Sequence, residues 1–147
     1  MQIVGLRLRT AFSEDEVLPS QATRLPTELA LERNAVAREH CNFLVEALPA
    51  VIEPVLAELR PHLRAPIHEY SPDSGGPVPE PTEGTLILLE VASLAPKQQA
   101  KLLRWLNERN GRVQVASTSS EPLFPLVERG TFDAALYYRL NIVRIAI

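Results

Sequence analysis

Cysteine occurs once in the 147 residues, as Cys41, so no internal disulfide can brace the chain, and a lone thiol suits a reducing compartment. Long hydrophobic runs are missing too. The best, such as Leu86 to Leu89, break far short of the ~18–20 residues that cross a bilayer. The opening Met1-Gln2-Ile3-Val4-Gly5-Leu6-Arg7-Leu8-Arg9 mixes charge with apolar groups too early for a secretory signal, so a cytoplasmic protein without a membrane span is expected. Glycine is scarce at the front, with only Gly5 before position 75, and no period of ~20–50 residues repeats to suggest a solenoid. What is present, 46% apolar and 22% charged residues, is the composition of a folded globule, and the length predicts one domain spanning 1–147.

The net charge of -3 conceals an asymmetry. Residues 1–83 carry 7 basic and 13 acidic side chains, against 8 and 5 in residues 84–147. An acidic front half argues against direct DNA binding, which needs clustered Lys and Arg to displace counterions from phosphates. Proline divides the chain at the same place, with 10 of 13 before position 84. Pro77, Pro79 and Pro81 lack amide donors and fix φ, so residues 71–83 are predicted to be a loop.

The back half alternates strand and helix. Thr85-Leu86-Ile87-Leu88-Leu89-Glu90-Val91 reads as a central strand covered on both faces. Pro96 opens a helix to about Arg109, with Gln99, Leu102, Leu103 and Leu106 on its inner face, and Gly111 ends it. A strand over 113–118, a short helix capped by Ser120, a helix over 132–139 and a strand over 141–147 follow. That rhythm predicts an α/β fold, a three-layer sandwich around a mostly parallel sheet. In the front half, an edge strand over 1–9, a helix from Thr27 to about His40, a short strand over 42–45 and a helix over 49–59 kinked or split at Pro54 are expected.

Three segments in order carry a resemblance: Gly84-Thr85-Leu86-Ile87-Leu88-Leu89-Glu90-Val91, then Gln99-Ala100-Lys101-Leu102-Leu103-Arg104-Trp105-Leu106-Asn107-Glu108, then Gly130-Thr131-Phe132 through Leu136-Tyr137-Tyr138-Arg139-Leu140-Asn141. They resemble the GTLFLDEI strand, the QAKLLRVLQE helix and the GxFRxDLYYRLN segment of the AAA+ ATPase domain of sigma-54-dependent transcription activators. Ala47-Leu48-Pro49 with Glu58-Leu59 is more faintly similar to the stretch ahead of that family's sigma-contacting loop. The resemblance implies part of an AAA+ P-loop NTPase core, a role in transcription regulation, and contact with a full-length AAA+ activator or the sigma-54 machinery.

It also implies where the chemistry departs. The GxxxxGK turn that wraps amides around phosphates is absent from the sequence. Leu89 stands where the family has the metal-holding Asp, and a leucine cannot ligate Mg²⁺. Glu90 matches the base that orients the attacking water, and is here a vestigial catalytic candidate. Ser119 matches an Asn that senses the terminal phosphate, and Arg139 matches an arginine offered to a neighbour's nucleotide. Asp133 and Ala135 replace the Arg and Asp of the FRxDL stretch, and residues 60–83 hold the proline-rich loop instead of a GAFTGA loop. The expectation is a non-hydrolysing regulatory module acting through protein–protein interaction, with no cofactor. The alternative is an ATP-binding sigma-54-type regulator that uses ATP with magnesium.

His62, His68 and Glu69 fit no standard zinc spacing and read as a solvated loop. Lys97, Lys101 and Arg104 read as a solvated helical stripe, with docking of an acidic partner as the other reading. Tyr137 and Tyr138 fit aromatic core packing and a subunit contact, and so self-association, equally well.

Overall fold

The computed structural model describes residues 35–109 and 111–147. The edge strand expected over 1–9 and most of the helix expected from Thr27 lie outside these residues. The described end of that helix, Ala35–Glu39, is a single π-helical turn. From there the chain runs through β1 (Phe43–Glu46), α1 (Pro49–Leu59), β2 (Ile67–Tyr70), β3 (Gly84–Leu88), α2 (Pro96–Arg109), β4 (Val113–Ser119), α3 (Phe124–Glu128), α4 (Ala134–Leu140) and β5 (Val143–Ala146). The strands form one parallel sheet in the order β2-β3-β4-β1-β5. β4 is therefore the middle strand. β3, expected to be central, sits one place out from it and ends at Leu88, with the Leu89 N–H still donating to Tyr70 O at 2.9 Å before the chain turns at Glu90.

Alternation along the strands builds two apolar layers. Phe43, Val45, Ile87, Ala116, Val143 and Ile145 face one way and are covered by Val51, Ile52, Val55, Leu56 and Leu59 of α1. Leu44, Leu86, Leu88, Val113 and Val115 face the other way, beneath Leu102, Trp105 and Leu106 of α2 and Leu136, Tyr137 and Leu140 of α4. A sheet so covered needs both faces apolar, which is why its strands read as near-continuous apolar runs.

The local signals act as expected at α2, which begins at Pro96 and ends ahead of Gly111 (φ 89°). Trp105 takes the inner place expected for Leu103, which is only partly buried. Three other expectations change. α1 passes through Pro54 as one helix, because five buried side chains on both sides of the proline hold it to the sheet. α3 begins at Phe124 rather than after a Ser120 cap, and Asp133 caps α4 by accepting the Leu136 N–H at 2.9 Å. His68 and Glu69 belong to β2 rather than to a loop, with Glu69 ion-paired to Arg60 at 2.9 Å. No cluster of metal-ligating side chains occurs among the described residues.

Candidate functional site at the carboxyl edge of the sheet

Open parallel sheets place their ligand crevices outside the carboxyl ends of the strands, where the order of connection reverses. Here β1 is that strand, lying between β4 and β5. It passes to α1 through two residues, Ala47 and Leu48, and the helix starts at Pro49. The turn is tight because Leu48 is extended (φ -62°, ψ 150°), its carbonyl accepts from Val51 N at 2.8 Å, and Ala47 N donates to Ser119 O at 3.2 Å. Leu48 is itself 67% exposed. Among the described residues this strand–turn–helix junction is where Ala47-Leu48-Pro49 falls, directly after the strand beside the middle of the sheet.

Just beneath the turn, Glu46 is 6% exposed and fully engaged. Its Oε1 accepts from Arg144 Nε at 2.8 Å and Nη2 at 2.7 Å, and its Oε2 accepts the Leu123 N–H at 3.0 Å. Leu44 pairs in register with Arg144, so Glu46 and Arg144 are diagonal neighbours on one sheet face. Burial and, next, the Glu46 charge push the Tyr137 phenol up, Arg144 opposing this in part.

Glu90 lies across β4 from this pair. It takes a left-handed conformation (φ 49°, ψ 60°), with its N–H on Thr118 Oγ1 at 3.0 Å. Its Oε1 accepts from Ser120 N at 3.2 Å and Ser120 Oγ at 3.0 Å. Leu89 next to it is half-buried against the α1-side cluster. Ser119 is fully buried, and its hydroxyl serves the turn: Oγ donates to Glu121 O at 2.5 Å and accepts from Glu121 N at 3.3 Å. The structure thus brings Glu90, Ser119 and the Glu46–Arg144 pair to one edge. Arg139 is not there. Its guanidinium bonds Leu106 O at 3.0 Å and the Asn107 side chain at the end of α2, and its carbonyl accepts from Asn42 just ahead of β1. That is the amino edge, away by the four-residue length of β1, about 13 Å.

Glu46 and Arg144 were not among the candidates read from sequence. The available signal was an acid closing the apolar run Phe43-Leu44-Val45-Glu46 and a base inside Val143-Arg144-Ile145-Ala146, two strands whose buried charges need each other.

A parallel sheet in this strand order, with helices on both faces and a strand–turn–helix junction at the switch point, is the architecture of the AAA+ P-loop NTPase domain. The family model described as the sigma-54 interaction domain matches residues 71–147, over half the chain, and the chain belongs to that family. Among curated relatives, the HTH-type transcriptional regulatory protein TyrR of Salmonella typhimurium is 37% identical over 71 residues, covering 41% of this chain and 14% of TyrR. The nitrogen fixation protein AnfA of Azotobacter vinelandii is 37% identical over 75 residues, covering 44% of this chain and 14% of AnfA. The matched segment is thus a small part of those regulators. Among solved structures, NtrX from Brucella abortus in complex with ADP superposes with a TM-score of 0.65 at 21% identity, covering 97% of this chain and 40% of NtrX. The P-loop NTPase domain of a sigma-54 transport activator from E. coli gives 0.53 at 16% identity, covering 75% of this chain and 98% of that domain. These superpositions bear out the expected fold. No helix among the described residues is long and apolar enough to cross a membrane.

Proposed function

We propose that this chain is a regulatory module of the sigma-54 activator family that neither binds nor hydrolyses ATP and acts by contact with protein, either a full-length AAA+ activator or the sigma-54 machinery, in the cytoplasm. The observation that carries the reading is the β1–α1 turn. A phosphate cradle needs a glycine-rich loop whose successive amides face the anion, with a Lys and a Ser or Thr behind it. Ala47, Leu48 and Pro49 supply two amides, one of which is spent on Ser119 O, and no cation or hydroxyl. The residues present do not fit a nucleoside triphosphate. Arg144 below the turn is neutralised by the buried Glu46 and so offers no free cation to a phosphate brought there.

The neighbouring groups support the same reading. Leu89 offers no metal ligand, Ser119 spends its hydroxyl on Glu121, and the Arg139 guanidinium is spent on Leu106 O and the Asn107 side chain. The ATP-dependent alternative rests on Glu90, which keeps an acid at the carboxyl end of β3, and on the nucleotide-bound state of structural neighbours such as NtrX. The two readings separate in a phosphate-release assay with Mg²⁺-ATP. Turnover above background that Glu90→Gln abolishes would establish the alternative, whereas release indistinguishable from that of Glu90→Gln supports the non-hydrolysing module.

A further inference from the structure

Parallel neighbours β2 and β3 must be joined by a crossover, which is ordinarily a helix. Here residues 71–83 make that connection with one 3₁₀ turn, Pro72–Ser74, bends at Gly76 and at Thr82 and Glu83, and a strap over 77–81 between them. Sequence dictates its shape. Pro77, Pro79 and Pro81 have fixed φ, while Val78 and Glu80 each precede a proline and are driven to extended or polyproline II geometry. The strap is not loose. Tyr70 Oη donates to Gly76 O at 3.0 Å and accepts from Gln98 Nε2 at 3.0 Å, and Val78 packs on the core under α2.

A polyproline II helix repeats every three residues, and two of the three rows along the strap keep that period, the third holding half-buried Pro79 and exposed Thr82. Val78 and Pro81 are half-buried and face the body of the domain. Pro77, Glu80 and Glu83 are all exposed. No backbone hydrogen bond among the described residues involves 77–83, so this outward edge offers its carbonyls as well as its side chains. Residues 71–83 hold Asp73, Glu80 and Glu83 without a single Lys or Arg, and none of the three acids forms an ion pair among the described residues.

We propose that Pro77–Pro81, with its exposed Pro77 and Glu80 and the adjoining Glu83, is a preformed polyproline II ligand for a protein partner, docking in a groove lined by aromatic side chains and rimmed by Lys or Arg. Aromatic grooves take such segments because the ligand has little conformational entropy left to lose. The acidic edge demands a basic rim, and its charge excludes nucleic acid and anionic lipid as the surface it meets. This goes beyond the proposed function, because it assigns the contact surface and the chemistry of the partner. It stands or falls without reference to ATP.

The test introduces a photo-crosslinking phenylalanine derivative at exposed Thr82 of the full chain in its native cell, identifies the captured protein, and titrates that purified protein calorimetrically against parent and variant chains. The expected result is a dissociation constant weakened at least about tenfold by Pro77→Ala with Glu80→Lys and weakened further by salt, with the urea midpoint of the chain unchanged. Lys97→Ala on the neighbouring helix should leave the affinity as it was. Failure to capture any protein at Thr82, or a captured protein whose affinity changes less than tenfold in the double variant, would overturn the assignment.

Discussion

Glu46 and Arg144, 98 residues apart, meet at the carboxyl edge of the sheet in a pair whose two donor distances are 2.8 and 2.7 Å, with the carboxylate buried. Two neighbouring strands end there, and a lone charge of either sign would be stranded in an apolar layer. Arg144→Met is expected to destabilise the chain by roughly 3 kcal/mol, because it leaves Glu46 buried with only the Leu123 amide. The double variant Glu46→Leu with Arg144→Met should recover most of that loss. Urea midpoints of the three chains check this, and a double variant weaker than Arg144→Met would show that the pair stabilises beyond mutual neutralisation.

Gly84 opens β3 at φ 92°, where a Cβ would run into the carbonyl and ring of Pro66. Both the left-handed backbone and the contact with neighbouring main chain oppose any side chain. Gly84→Ala should therefore cost about 2 kcal/mol or more, whereas Gly111→Ala, whose Cβ meets nothing within 4 Å, should cost only about 1 kcal/mol from its positive φ. Equal thermal midpoints for the two variants would contradict the close approach of residues 66 and 84.

Cys41 has its thiol pushed up by burial first and then by Glu39, whose carboxylate accepts a hydrogen bond from Sγ at 3.7 Å. The folded thiolate is disfavoured, so alkylation by iodoacetamide should rise with pH through a midpoint above that of the unfolded chain. By the same linkage, the contribution of this group to stability is intact below the unfolded pKa and is lost as pH rises through the folded one. Glu39→Gln should move the alkylation midpoint down without reaching the unfolded value, since burial remains. A midpoint unmoved by Glu39→Gln would remove the carboxylate from this account.

The sequence made α2 legible from end to end because its punctuation is local: Pro96 sets φ at the start and Gly111 takes a positive φ after the end. β2 was not legible. Three of its four residues, Ile67, His68 and Glu69, are exposed, and only Tyr70 is buried, so no apolar run marks it; it is a strand because β3 pairs with it. The strand at 84–91 looked central for the opposite reason, since apolar continuity reports coverage of both faces and not the number of strands beyond. Family likeness singled out Glu90, Ser119 and Arg139 as candidates, but their separation to two edges depends on chain direction in the sheet. The Glu46–Arg144 pair escaped because pairing between strands 98 residues apart leaves no local pattern. Ser120 illustrates the same limit: a hydroxyl suited to capping a helix instead meets Glu90, 30 residues earlier.

The proposed function requires a carboxyl edge closed to nucleotide, and calorimetric titration of the parent chain with Mg²⁺-ATP tests it most directly. Leu89→Asp should be titrated beside it, since that variant restores the acid that the family places there. The account predicts no saturable heat and no shift in thermal midpoint for either chain, because the turn at Ala47 and Leu48 cannot wrap a phosphate whatever stands at position 89. Saturable, Mg²⁺-dependent binding by the parent, or binding gained on Leu89→Asp, would mean that the crevice remains a nucleotide site and would contradict it.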